Sequence, residues 1–282
     1  MRLLLSTILF LFSFAVVSAQ QKEESLPPCV SVKNISEKDR AYKDGELLVY
    51  KIHYVWGMIK SDVGEARASV VRKNDSLYGD YFHSVIKGES YKLYDLFFKV
   101  RDLFESKFNT TNGRPYYFHR DIAEGRYRML NTYHYNKDYS IQVQIKRKEE
   151  PLVDTLLQAR ECTFDLVSLF YFVRNFDFSK TPIGVNQPIS FAIDNEVFNV
   201  YYRYEGKENK KVPGIGHFRT LKFVARVVSG EVFSGKQELV VWVSDDQNKI
   251  PLLFESPIKV GIVMGRLYDF ENIKFPFTSK IK

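Results

Sequence analysis

Two acids stand side by side at Asp245-Asp246, within the stretch WVSDDQNKIPLLFESPIKVGIVMGRL from Trp242 to Leu267. Carboxylates that converge on one face can serve as general acid and base or hold a divalent cation. Next neighbours along a chain converge poorly. Asp245-Asp246-Gln247-Asn248 are turn-forming types flanked by β-rich runs, which favours the polar tip of a hairpin over half of a catalytic site. Pro251, without an N–H for a ladder, places the return strand late or at a sheet edge.

Other reactive residues are scattered. The histidines, His53, His83, His119, His134 and His217, form no HExxH pattern and no close pair with cysteine, so a zinc site is not indicated. Gly88-Glu89-Ser90 lacks the second glycine of a nucleophile elbow, and Gly214-Ile215-Gly216 lacks the lysine of a phosphate loop. Asp95, Asp102 and Glu105 are the acids a hydrolase would need if they converged from strands. Asp95 and Asp102 are seven positions apart, however, and face opposite sides of an ideal strand. Glu149-Glu150 reads as solvated loop. No catalytic residue, metal ligand or cofactor site emerges.

The elements that must position any site begin after an export signal. MRLLLSTILFLFSFAVVSAQ carries Arg2, an apolar run from Leu3 to Val17, and small residues at Ser18 and Ala19, the layout of a secretory signal peptide over residues 1–19. The run is shorter than the ~18 residues that span a bilayer comfortably, and no later segment spans one. The expected compartment is the periplasm or the extracellular space. Cys29 and Cys162 are the two cysteines, and an even count in an exported chain predicts a disulfide between them. The formal charge of +7 is dispersed, because Lys and Arg alternate with Asp and Glu, so nucleic-acid binding is not expected. The KENKK run, Lys207 to Lys211, reads as a solvated turn.

After an N-terminal arm at residues 20–44, period-two patterning sets in. GELLVYKIHYVWG places Leu48, Tyr50, Ile52, Tyr54 and Trp56 on one face and Val49, Lys51, His53 and Val55 on the other. GEARASVVRK, SLYGDYFHSVIKG, YDLFFKVRDLFESKF, RPYYFHRDI, RYRMLNTYHYN and YSIQVQIKRK continue the series. One helix interrupts it near residues 164–174, with Thr163 as N-cap, Asp165 in its first turn and Leu166, Leu169, Phe170 and Val173 at helical spacing. This helix is expected to plug or bridge the sheet. The spacing divides the chain into β-rich halves at 45–183 and 184–282, hinged at Gly184 to Pro188. The fold class is mainly β: curled antiparallel sheets or barrel-like halves with one central helix.

AYKDGELLVYKIHYVWGMIKSDVGEA, YDLFFKVRDLFES, CTFDLVSLFYFVR and WVSDDQNKIPLLFESPIKVGIVMGRL together resemble the exported DUF3108 family, in order from about Tyr42 to Leu267. The resemblance implies an envelope protein of antiparallel β structure and carries no catalytic residue or cofactor with it. In that setting Asp75-Ser76-Leu77 and Asp154-Thr155-Leu156 resemble the acceptor pattern of O-glycosylation in exported Bacteroidota proteins. Both Ser76 and Thr155 fall in expected turns. The function read from the sequence is a non-catalytic binding or structural module for an apolar or glycan-like envelope ligand or a protein partner. The alternative is a hydrolase of cell-wall or glycan material.

Overall fold

The computed structural model describes residues 29–226, 238–258 and 261–281. The expected signal segment, residues 20–28 of the arm and the end of the strand expected past Arg226 lie outside the described residues. The first series of strands is β1 (Glu46–Trp56), β2 (Ile59–Asp75), β3 (Gly79–Ser90), β4 (Arg101–Asn109), β5 (Pro115–Glu124), β6 (Tyr127–Tyr135), β7 (Ile141–Arg147) and β8 (Val153–Leu157). Each pairs antiparallel with the next. A one-turn helix, α1 (Lys92–Asp95), separates β3 from β4.

The second series opens with the two-residue strand β9 (Thr163–Phe164) and helix α2 (Leu166–Val173). β10 (Asn186–Ile193), β11 (Glu196–Val212), β12 (Gly216–Arg226), β13 (Glu238–Ser244), β14 (Pro251–Pro257) and β15 (Ile262–Glu271) follow. β16 (Lys280–Ile281) lies on β12. The two series are one sheet, because β1 pairs with β15, as Leu48 opposite Phe270 and Tyr50 opposite Leu267 show. The sheet therefore runs from β8 at one end to β9 at the other.

Those two end strands are joined by residues 158–162 alone. Six Cα steps reach at most about 20 Å, so a sheet of this width must curl until its ends approach. Contacts across the interior agree: Tyr133 of β6 donates through its hydroxyl to the Asp194 carbonyl in the β10–β11 turn (3.0 Å), and Arg120 of β5 meets the Asp194 carboxylate (3.0 Å). The alternation within strands explains why the curl holds. In β7, Ile141, Val143 and Ile145 are buried while Gln144 and Lys146 are exposed, a period of two with one face inward.

Helix α2 fills the enclosed space and packs on β3, β4 and β10, with Phe170 touching both principal clusters of buried apolar side chains. Its N-cap is Asp165, not Thr163. The Asp165 carboxylate accepts from the Val167 and Ser168 amides at 2.7 and 2.8 Å, and the Ser168 hydroxyl lies 3.2 Å from the Asp165 amide as acceptor, which completes a capping box. Thr163 instead sits in β9 and shares a hydrogen bond with Ser190.

Candidate functional site: an apolar cavity beside a polar groove

Between α2 and the inner face of β10–β13 lies a cavity of about 200 Å³. Strand register builds its wall. Phe223 of β12 lies opposite Val241 of β13, with Val243 in the neighbouring row, and their cross-strand partners Tyr204 and Leu221 line a groove alongside. Tyr202, Ile189 and Pro251 extend the wall, and Phe170 and Val173 close it from the helix. Phe178, from a 3-10 turn at Phe178–Lys180, forms the remaining side with its ring 4.6 Å from that of Phe223. Burial pushes the Tyr202 phenol up to about 12, so it stays neutral.

Among the described residues only Arg174 and Lys249 bring charge to the cavity. Arg174 is committed to Glu46. Lys249 has no ion pair among the described residues, and burial holds its ammonium below the usual lysine range, with Asp177 and Asp246 opposing that effect. Its backbone sits at φ +45°, in the left-handed region, directly after the Asp245–Asn248 turn. A groove of about 730 Å³ adjoins the cavity, sharing Phe178 and Lys249 with it. The groove is polar, lined among others by Asp177, Ser179, Thr181, Lys207, Asp245 and Thr278.

Asp245 and Asp246 do occupy a turn, as the spacing indicated, but they are half-buried and bound. Asp245 meets Lys207 (2.9 Å), and its amide donates to the Arg219 carbonyl. Asp246 accepts from the Ser244 hydroxyl (2.9 Å), the Asn248 amide (3.1 Å), and both the hydroxyl (2.7 Å) and amide (3.2 Å) of Ser279. Asn248 clasps Phe275 through both side-chain atoms at 2.9 Å, and its carbonyl accepts from Arg174 (3.1 Å). The turn therefore ties the C-terminal segment and the end of α2 together at the lip of the groove. The KENKK run is strand, not turn: it lies inside β11, where Glu208 accepts from the Trp242 indole and Lys210 covers the Trp242 ring.

The acids considered for hydrolysis do not come together. Asp95 leaves the sheet altogether, in α1, where the Arg101 guanidinium grips it at 2.6 and 3.1 Å and lowers its pKa. Asp102 and Glu105 share β4, yet three positions separate them, so they face opposite sides. Asp102 accepts from the Ala123 amide with burial raising its pKa, and Glu105 meets His83 at 2.8 Å. His119 and His134 flank Tyr117 on the same outer face as Glu105, a neighbourhood the sequence spacing hid. Among the described residues no group of three His, Cys, Asp or Glu side chains has the arrangement to hold a metal ion.

Cys29 and Cys162 are bonded, with Cα atoms 5.6 Å apart. Cys162 lies in the segment that joins the two ends of the sheet, so the bond fastens the arm across that closure. Ser76 is exposed at the β2–β3 turn, where Asp75 accepts from the Leu77 and Tyr78 amides. Thr155 is not in a turn. It lies in the edge strand β8, half-buried opposite Val143. Sequence reasoning missed Phe178, Tyr202, Phe223 and Lys249. The alternation that turns Tyr202 and Phe223 inward was visible, but their meeting depends on strand register.

The chain matches the model of DUF3108, a protein family of unknown function, over residues 49–267. It belongs to the DUF3108 family. The matched span of this DUF3108 chain takes in α1, the helix, every cavity residue and the Asp245–Lys249 turn. Among curated proteins none matches it. A crystal structure described as a beta-barrel-like protein of domain of unknown function DUF1849, from Brucella abortus, is similar at a TM-score of 0.54. That similarity covers 83% of this DUF3108 chain and 99% of the Brucella chain at 7% identity, and it shows a shared beta-barrel-like fold alone.

Proposed function

We propose that this DUF3108 protein is a non-catalytic binding module of the cell envelope, exported to the periplasm or beyond, which holds an amphipathic ligand. The single observation that carries the reading is the cavity wall of Phe170, Phe178, Tyr202, Phe223, Val241 and Val243, opening beside a polar groove. Size limits what enters. An apolar cavity of roughly 150 Å³ takes a benzene ring, and pockets for drug-sized molecules run from about 300 Å³ upward. A space of about 200 Å³ accordingly suits one ring or a short alkyl segment, with the rest of the ligand in the groove.

The groove favours a hydroxylated, sugar-like head over a phosphate. Three carboxylates, Asp177, Asp245 and Asp246, line it against two ammonium groups, Lys207 and Lys249, while Ser179, Thr181 and Thr278 offer hydroxyls. An alkyl glycoside joins these two chemistries, so the test is calorimetric titration with octyl glucoside below its micellar concentration. Saturable binding to the wild type and its loss in Val241→Trp, which fills the cavity, are expected. Equal binding by a folded Val241→Trp protein contradicts the reading.

A further inference from the structure

Residues 91–100 leave the sheet between β3 and β4 and carry apolar side chains into solvent. Leu96 and Phe97 are 80% and 83% exposed, and Leu93 and Phe98 are exposed beside them. At the neighbouring β1–β2 turn, Met58 is fully exposed as well. The two projections are joined, because the Tyr94 hydroxyl donates to Ser61 Oγ (2.6 Å) and the Tyr91 amide to the Val63 carbonyl (2.9 Å).

This apex is built and not merely loose. Asp95 takes two hydrogen bonds from Arg101 and one from the Ser90 hydroxyl, and the Gly125 amide in the β5–β6 turn donates to the Lys99 carbonyl (2.7 Å). The Phe97 and Phe98 amides both turn back onto the Tyr94 carbonyl at 2.9 Å, which points the intervening side chains outward. An apolar group of this size held out of the core marks an interaction surface.

Charge decides the partner. Lys60, Lys92 and Lys99 surround the apex and are exposed, while of the nearby acids Asp95 is held by Arg101, Asp62 by Arg266 and His53, and Glu65 by Arg67, with Glu89 opposite Arg101 across the β3–β4 pair. A second copy docking through the same patch would bring these lysines against their counterparts. A convex apolar tip with a cationic collar instead matches a lipid surface of negative charge, where lysines meet headgroups and apolar side chains enter the acyl boundary. We propose that the α1 apex, with Met58, docks this protein peripherally onto an anionic bilayer. The proposal is independent of the cavity, and it involves no spanning segment.

Co-sedimentation of the mature chain with phosphatidylglycerol vesicles, against phosphatidylcholine vesicles, tests it. The wild type is expected to pellet with phosphatidylglycerol and to be released by salt. Leu96→Asp with Phe97→Asp should abolish pelleting at an unchanged melting temperature, and Met58→Asp should weaken it. Each of Lys92→Gln and Lys99→Gln should weaken it about fivefold. Failure of the wild type to pellet overturns the proposal, as does equal pelleting of the double variant. Concentration-dependent dimerisation in sedimentation velocity, lost in the double variant and without vesicle binding, also overturns it in favour of self-association.

Discussion

Arg174 and Glu46, 128 residues apart in sequence, face each other in the interior through two hydrogen bonds of 2.6 and 2.9 Å. Both are almost wholly withdrawn from solvent. Glu46 opens β1, the strand through which the two series of strands become one sheet, and Arg174 ends α2, so the pair locks the helix to that seam. Arg174 also donates to the Asn248 and Ala41 carbonyls, which draws in the groove turn and the N-terminal arm. Removing one partner leaves a buried charge uncompensated. Glu46→Ala is expected to cost about 3 to 5 kcal/mol in denaturant unfolding. A loss below about 1 kcal/mol, the size of an exposed pair, contradicts this role.

Asp165 gives the stability a pH signature. Burial pushes its carboxyl up to about 6, against hydrogen bonds from Ser168, Ser106 and Val167 that favour the ionised form. Its unfolded value is about 3.9, so the folded chain binds the proton more tightly. The contribution is fully present below about pH 4 and is lost as pH rises through about 6, which makes the fold about 1 kcal/mol more stable at pH 5 than at pH 7 from this group. Asp165→Asn keeps an N-cap acceptor and should erase that increment. Unfolding of both proteins at the two pH values checks it, and identical differences in the two proteins contradict it.

The disulfide closes a separation of 133 residues. On the chain-entropy description, Cys29→Ser with Cys162→Ser should cost up to about 4 to 5 kcal/mol. Peptide mapping without reductant should recover the two cysteines in one linked species. Recovery of both as free thiols contradicts the pairing.

Asp245 and Asp246 are expected to differ sharply although they are neighbours. Asp245→Asn removes one exposed lysine contact and should change stability by about 0 to 1 kcal/mol. Asp246→Ala strands the Ser279 and Asn248 amides and the Ser244 hydroxyl and should cost more, about 1 to 3 kcal/mol. Equal melting temperatures for the two variants would show that the clasp on the C-terminal segment is not needed.

If the acceptor resemblance holds, geometry selects Ser76. A transferase can reach its exposed hydroxyl at the β2–β3 turn, whereas Thr155 is half-buried within β8. Intact mass from a native-like host should then show an added mass that is absent in Ser76→Ala and kept in Thr155→Ala. An unmodified wild-type mass contradicts glycosylation in that host.

The strands were legible because their alternation is local. Leu48 and Tyr50, or Ile141, Val143 and Ile145, declare an inner face by themselves. The apex at Leu93–Phe98 has the sequence signature of a strand, because an apolar projection has the same composition as a buried edge. The helix is legible in the sequence, but its N-cap is Asp165 and not Thr163, because the Asp165 carboxylate takes the Val167 and Ser168 amides while Thr163 is drawn into β9 beside Ser190. The cavity was not legible. Tyr202, Phe223 and Val241 meet through the register of three strands, and Phe178 reaches them after the helix has crossed the sheet. Likewise Asp246 looks like any turn acid until Ser279 arrives from the C-terminal segment.

NMR contacts between the protein and the alkyl protons of bound octyl glucoside show whether the cavity receives the apolar part of a ligand. Contacts from the terminal methyl group to the rings of Phe178 and Phe223 and to the methyls of Val241 and Val243 are expected, with the sugar protons near Thr181 and Lys249. Methyl contacts confined to Leu96, Phe97 and Met58, with none inside the cavity, contradict it.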